Sequence, residues 1–481
     1  MAYRDLREFL AKLEINGDLH RVGVEVDPLL EMAEITDRMS KLPDGGKGLF
    51  FEKVTGSGFP AVTNIFGSPR RVCTALQVDN LDSLADRVTD LLISAGAGNG
   101  TNAAAALNAS AAFSRFKPVE VSSGPCREIV ESHPDLTRYP VPRNWPGDTA
   151  FARSGGFLTL PLVVTCDIET GETNCGIYLV QLLSSDTVGI RWKPGSGGGR
   201  HLERYRQRGE RMPVAIVLGG DPSLFFSGML PLPPAVDELQ FAGFLRGEPV
   251  ELVRCLTSGI RVPAHAELVM EGFIDPVDPA AGGEFGTHTG FYLPVGELPV
   301  MRITCITRRR KPIIPATVVG PPPMEDCHMA RGSARLMLPF LQLELPEIAG
   351  LHLPVEGIFH GAALVAIDKK CSGHARSVME RLWERGWLKG SRLLVLVDRD
   401  VEVGDPGRVY WKILNNVAWQ RDLVVAGATE PAGHPFGGRL GIDATRKFPG
   451  EGVEEWPGEI AMDGETRTMV SDRWKEYGFN D

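Results

Sequence analysis

The chain has 481 residues, of which 43% are hydrophobic and 23% charged, and its formal net charge is −10. That length exceeds one compact core and predicts two or three domains, while the acidic balance offers no basic footprint for nucleic acid or an anionic membrane. The eight scattered cysteines form no C-x-x-C pair, the first residues lack a signal-peptide pattern, and no apolar run reaches the about 18 residues of a spanning helix, so the expectation is a soluble cytoplasmic protein without a disulfide framework or zinc cluster.

Apolar residues at helical spacing over 4–15 (Leu6, Phe9, Leu10, Leu13) predict a first helix, and Asp27 to Ser40 a second. Short apolar strands are expected at Gly48–Phe51 and Ala61–Thr63, then a helix near Leu81–Ser94. The Gly/Ala/Asn-rich stretch 95–114 reads as a linker or surface loop. From about 118 to 310 the pattern becomes short strands with turn signals, as in a barrel or sandwich. There Leu158–Cys166 and Cys175–Leu183 look like the arms of a hairpin, with further strands at Val214–Leu218, Val250–Thr257, Ala266–Phe273 and Met301–Thr307 and a short helix at Glu238–Leu245. Beyond 320 the pattern is α/β, with helices at 333–342, 374–386 and 407–420 and strands at Ala362–Ile367 and Arg392–Val397. The tail, 466–481, reads as a polar amphipathic helix that packs on a neighbour.

The glycine run Gly195-Ser196-Gly197-Gly198-Gly199 lacks the spacing of a phosphate loop. It leads into Arg200, Arg204, Arg206, Arg208 and Arg211, interleaved with acids. A solvated helix face is the simpler account; guanidinium binding of a phosphorylated group is the alternative.

Several short segments carry more information in their order than singly. They include Asn174-x-Gly176-Ile177-Tyr178 with Gln181, Arg191-Trp192, Gly219-x-Asp221-Pro222, and Glu238 with Phe241-Ala242-Gly243. Gly286-x-His288-Thr289-Gly290, Gly373-His374-Ala375 and Gly441-Ile442-Asp443-Ala444-Thr445 follow. Together, from about 118 to 450, they resemble the UbiD family of prenylated-FMN-dependent (de)carboxylases. The resemblance implies an α+β protein with an N-terminal α/β region (1–117), a central flavin-binding split β-barrel (118–315), a C-terminal α/β oligomerisation domain (316–455) and a helical tail (456–481). It implies a homo-oligomer, dimer or hexamer, supplied with cofactor by a flavin prenyltransferase. Gly176, Ile177, Gln181 and Met229-Leu230-Pro231 fall on its cofactor pocket. A divalent metal, manganese or iron, with potassium nearby, is expected to hold the phosphate through Asn174 and Glu238; hard oxygen ligands suit such ions.

The departures from the family pattern are concerted. The strand N-x-G-[IM]-Y-R-x-Q has Leu179 in place of its Arg. The third metal ligand, a His, is replaced by Gly195, and His201 reaches that place only if the glycine loop is rebuilt. The two catalytic carboxylates of E-G-P-x-G-[ED]-x-T-G become Gly282 and Thr287. Arg439 occupies a position often held by Lys and offers a guanidinium for the phosphate. Proton transfer then falls to nearby groups: His288, Glu284 or Thr287 beside Leu179, with His360 expected to be structural. Glu325 and Asp326 follow a Pro-rich turn and are read as caps of the next helix, with a pocket role as the alternative.

Two functions follow from the resemblance. One is a carboxy-lyase acting on an aromatic acid or an activated derivative such as an aromatic acyl-CoA, as in phthaloyl-CoA decarboxylase-like or phenylphosphate carboxylase-like branches. The other is a non-catalytic subunit that stabilises or regulates an active partner. An unrelated flavin oxidoreductase is opposed by the C-terminal matches.

Overall fold

The computed structural model describes residues 2–98, 100–151, 156–193, 195–359, 361–384, 386–427 and 437–479. Helix Leu6–Ile15 begins where Asp5 accepts hydrogen bonds from the Arg7 and Glu8 N–H groups, and it buries Leu6, Phe9, Leu10 and Leu13 as the periodicity predicts. A four-stranded sheet in the order Leu19–Val26, Gly48–Val54, Ala61–Thr63, Ile314–Pro315 completes the N-terminal layer. Its last strand comes from far along the chain and ties the first domain to the centre.

The stretch read as a linker is largely helical, over Ala103–Ala109 and Ala111–Ser114. Alanine favours helix, Asn102 accepts from the Ala105 N–H, and Leu107 and Phe113 are buried in the main core.

The centre is a sheet of nine strands among the described residues. Its long strands Leu268–Ala281 and Glu297–Arg308 pair antiparallel, flanked by Met212–Leu218 and Leu162–Cys166 on one side and Thr187–Ile190 on the other. The strand expected over Cys175–Leu183 is two strands. Thr173–Ile177 pairs with Leu162–Cys166, whereas Val180–Leu182 pairs with Phe157–Leu158 and Thr187–Ile190. Tyr178 and Leu179 form the break between them.

Helix Glu325–Glu344 starts well before the predicted 333 and is buried on nearly all sides, so it shows no amphipathic stripe. It leads into a five-stranded sheet, Ile348–His352, Ala362–Ile367, Leu393–Asp398, Arg439–Asp443, Leu423–Ala426, whose three inner strands run parallel. Helix His374–Glu384 covers one face and Pro406–Asn416 the other. The tail helix Gly464–Asp472 buries none of its residues. No helix of the described residues is long and apolar enough to cross a membrane.

Candidate active site

The break at Tyr178-Leu179 opens onto a cavity of about 820 Å³ between the central sheet and the C-terminal domain. That volume lies in the usual range for cofactor sites. Asn174, Gly176, Ile177 and Leu179 line it from the split strand, and Met229, Leu230 and Pro231 from the end of the buried helix Pro222–Met229. Met329 and Ser333 of the long helix, with Phe359 and Trp387, line it from the C-terminal part of the chain.

One end of the cavity is polar. Asp237 caps helix Glu238–Arg246 by accepting from the Leu239 and Gln240 N–H groups at 2.7 and 2.9 Å, which sets Glu238 at the first helical position. Glu238 Oε2 accepts from the Cys175 N–H at 3.2 Å, and so lies beside Asn174. Burial pushes the Glu238 carboxyl up to about 7, against the pull of that hydrogen bond and of Arg200. Arg200 lines the cavity at this end; Arg191 and Lys193 line it too, Arg191 donating its N–H to the Leu179 carbonyl at 2.9 Å. Gly197 has a steric reason: a Cβ there would meet Asn174 Oδ1 at 1.7 Å, so the glycine lets the following helix start against that amide. Ser196 caps the helix through the Gly199 N–H.

Only the first arginine of the 200–211 series reaches the cavity. Arg204 pairs with Asp167 and Arg208 with Glu169, while Arg211 lies over Phe273, so the remainder form the surface face that the charge pattern predicts. His201 also touches the cavity, but its Nδ1 is 2.9 Å from Thr165 Oγ1 and its Nε2 is 3.7 Å from Asp167. Those contacts keep it from the Gly195 position, and burial pushes its pKa down, favouring the neutral ring.

The other end is apolar. Leu179 packs against a cluster of Phe157, Phe285, Val295 and Leu298. Thr287 is buried, its hydroxyl shared with Thr289 at 2.7 Å and donated to the Phe291 carbonyl at 3.2 Å. His288 lines the cavity with its ring edge-on to Phe359, the centroids 5.8 Å apart. Gly282 has no room for a side chain: a Cβ would lie 2.5 Å from the Gly296 carbonyl oxygen and 2.9 Å from Val295 Cβ.

Three expected site residues are placed elsewhere. Glu284 is exposed and does not line the cavity, because alternation along strand Glu284–Gly286 turns Phe285 inward instead. Gln181 is buried one layer back, where its Oε1 accepts from the Gly283 N–H at 2.9 Å and braces the Gly282-Gly283 turn. Arg439 starts an inner strand of the C-terminal sheet, opposite Ala426, and is not among the cavity-lining residues. His360 lies outside the described residues. Glu325 and Asp326 are not caps either: they are the first two helical residues, and Met324 at the cap position makes no side-chain bond. Glu325 accepts from the Phe66 and Asn64 N–H groups at 2.7 and 3.1 Å, while Asp326 lines the cavity. The sequence leaves Asp326 between those two roles and gives no reason to single out Lys193 or Trp387.

These residues fit a flavin mononucleotide. Arg191, Lys193, Arg200 and the glycine-rich start of a twelve-residue helix suit a phosphate. Asn174 and Glu238 supply two adjacent oxygens for a hard cation, although no group of three His, Cys, Asp or Glu side chains among the described residues is arranged for a metal. Ile177, Met229, Leu230 and Val319 give a planar ring system apolar walls.

Comparison with known proteins identifies the family and the fold. Residues 10–91, 117–322 and 327–444 match the N-terminal, Rift-related and C-terminal domains of 3-octaprenyl-4-hydroxybenzoate carboxy-lyase, the UbiD family. An uncharacterized protein of Archaeoglobus fulgidus is 39% identical and one of Aquifex aeolicus 36%, each match covering 99% of both chains. Among solved structures, vanillic acid decarboxylase of Sedimentibacter hydroxybenzoicus in its closed form superposes with a TM-score of 0.86 at 25% identity over the whole of both chains. The UbiD-class enzyme HmfF of Pelotomaculum thermopropionicum, in complex with prenylated FMN, gives 0.79 at 25% identity over 98% of this chain and 100% of that one.

Proposed function

This chain belongs to the UbiD family of carboxy-lyases, and from that premise we propose that it uses prenylated FMN to decarboxylate, or carboxylate, an aromatic acid or an activated aromatic derivative such as an acyl-CoA. The observation that supports the reading is one cavity that carries a polar corner at Asn174, Glu238 and Arg200 and an apolar corner at Leu179 and Phe285, with Arg191 opposite Leu179 across the strand pair. Arg191, Lys193 and Arg200 hold the phosphate, with a divalent ion on Asn174 and Glu238. Bound there, the cofactor supplies an electron sink for the ring carbon that loses carbon dioxide.

The protein's own residues do the rest. Phe285, Leu179 and Val319 exclude water from the reacting end, and His288 presents a ring nitrogen to the substrate. With no guanidinium at 179 to grip a carboxylate, substrate binding energy comes from the apolar walls and from any remote handle the substrate carries, and a thioester suits that arrangement. The exposed tail, with Met469, Trp474 and Phe479, supplies a contact for homo-oligomerisation. Native mass spectrometry of the chain with and without residues 456–481 tests that contact.

The decisive experiment is expression with a flavin prenyltransferase, followed by near-UV and visible spectra, metal analysis and assay against aromatic acids and aromatic acyl-CoA thioesters. A flavin signal with release of carbon dioxide is expected. A chain that takes up no flavin sinks the proposal. The replacement of three catalytic positions by Leu179, Gly282 and Thr287 favours the second reading, a non-catalytic subunit. Flavin uptake without turnover of any substrate would support it.

A further inference from the structure

Without the two family carboxylates, the cavity needs another group to return a proton to carbon, and one buried carboxyl of the long helix lines it. Asp326 is the second residue of helix Glu325–Glu344, is 5% exposed, and lines the cavity one turn before Met329 and Ala330. Its oxygens are only partly occupied, the Asp326 and Cys327 N–H groups of the helix start facing the carboxyl. Oδ1 receives the Sγ–H of Cys327 at 3.6 Å, and Oδ2 is buried with no hydrogen-bond partner. An ionised carboxylate in that state is costly, whereas a carboxylic acid is tolerated. Burial, reinforced by the neighbouring Glu325, pushes its pKa up to about 7.

The other titratable groups on the cavity are differently placed. Glu238 accepts from the Cys175 N–H and lies within the field of Arg200, and His288 packs edge-on against Phe359. Glu325 spends both oxygens on the Phe66 and Asn64 N–H groups and does not line the cavity.

We propose that Asp326 is the proton donor of this site, taking the place of the carboxylates absent from 282 and 287. The assignment rests on the carboxy-lyase reading and deepens it. In decarboxylation the bond from ring carbon to carboxylate carbon breaks, its electron pair stays with the ring carbon, and carbon dioxide leaves. The ring carbon then takes the proton from Asp326 Oδ2, and the Asp326 carboxylate regains one from water. One carboxylate and one proton become one C–H bond and one carbon dioxide, with no oxidant or reductant consumed. In carboxylation the same carboxylate accepts the ring proton.

The test uses the full chain loaded with prenylated FMN and the substrate on which the wild type is most active. Asp326→Asn keeps shape and volume, so it should keep the flavin spectrum while lowering kcat by about 100-fold or more. Asp326→Glu should recover part of that loss, and the fall in wild-type kcat above neutral pH should vanish in Asp326→Asn. Infrared difference spectra give a readout independent of turnover: wild type at pH 6 should show a protonated carboxyl band that Asp326→Asn lacks. A wild type that turns over while Asp326→Asn stays within threefold of it overturns the assignment alone, as does an infrared spectrum without that band. A flavin-loaded wild type that converts no substrate removes the carboxy-lyase reading and this assignment with it.

Discussion

Where Asn174, Glu238 and Arg200 line the cavity, its wall carries charge; where Leu179, Phe285 and Thr287 line it, the wall is apolar or neutral. A phosphate does not change charge during catalysis, so permanent cations and a helix start serve it. A carbon that loses carbon dioxide gains negative charge only in passing. It is served by a dry wall and an acid that stays neutral until needed. On the proposed reading, the difference teaches that this cavity separates holding from reacting by polarity.

Four measurements would break or sharpen that contrast. The largest effect is expected at Asp326. Its carboxyl keeps its proton in the fold up to about pH 7, but in the unfolded chain only to the ordinary 3.8. Its contribution to stability is therefore complete below pH 3.8 and lost as pH climbs through 7. Asp326→Asn removes the titration, so at pH 8 it should be the more stable protein by on the order of 4 kcal/mol. The gain should disappear below about pH 4. A calorimetric difference independent of pH would show that Asp326 is not held neutral.

Next comes Leu179→Arg, which sets a guanidinium in the apolar corner without either carboxylate partner. A loss of about 3 kcal/mol in denaturant unfolding is expected, with no gain in decarboxylation. Gly197→Ala attacks the polar end by pushing against the Asn174 amide, and about 2 kcal/mol is expected. Its FMN affinity should fall as well. The smallest effect separates two arginines of one helix. Arg200→Ala should weaken FMN binding about tenfold in calorimetric titration, more at low salt. Arg208→Ala, whose partner Glu169 is half exposed, should leave affinity unchanged and cost under about 1 kcal/mol.

How much of this was legible depended on whether a residue's environment repeats along the chain. Leu6, Phe9, Leu10 and Leu13 lie on one helix face, so their spacing alone gives both helix and burial. Helix Pro222–Met229 is buried nearly all round and has no stripe to read. The 95–114 stretch reads as a loop because its glycines and asparagines are turn formers, although asparagine also caps helices and alanine favours them; the burial of Phe113 decides between the two, and that contact is remote in sequence. In the site, Asn174, Glu238 and the Met229–Pro231 turn were recoverable because ordered motifs carry them. Glu284 was misplaced because proximity in sequence to a lost carboxylate is not proximity in space: one step along a strand reverses the face. Asp326 was ambiguous for a different reason. A carboxylate at the start of a helix has an ordinary role in stabilising the helix end, and only the cavity shows that this one faces a void.

Gly282 gives the site a direction in mutational space. A side chain there meets the Gly296 carbonyl and Val295, so a glutamate can return only if that neighbouring turn moves first. An arginine at 179 without its carboxylates is a penalty, and a carboxylate at 287 would displace the hydroxyl that closes the Phe291 turn. Each single step back toward the family pattern therefore passes through a less stable protein. The arrangement works as a ratchet: directed evolution from this chain should find new substrates more readily than it recovers the old machinery.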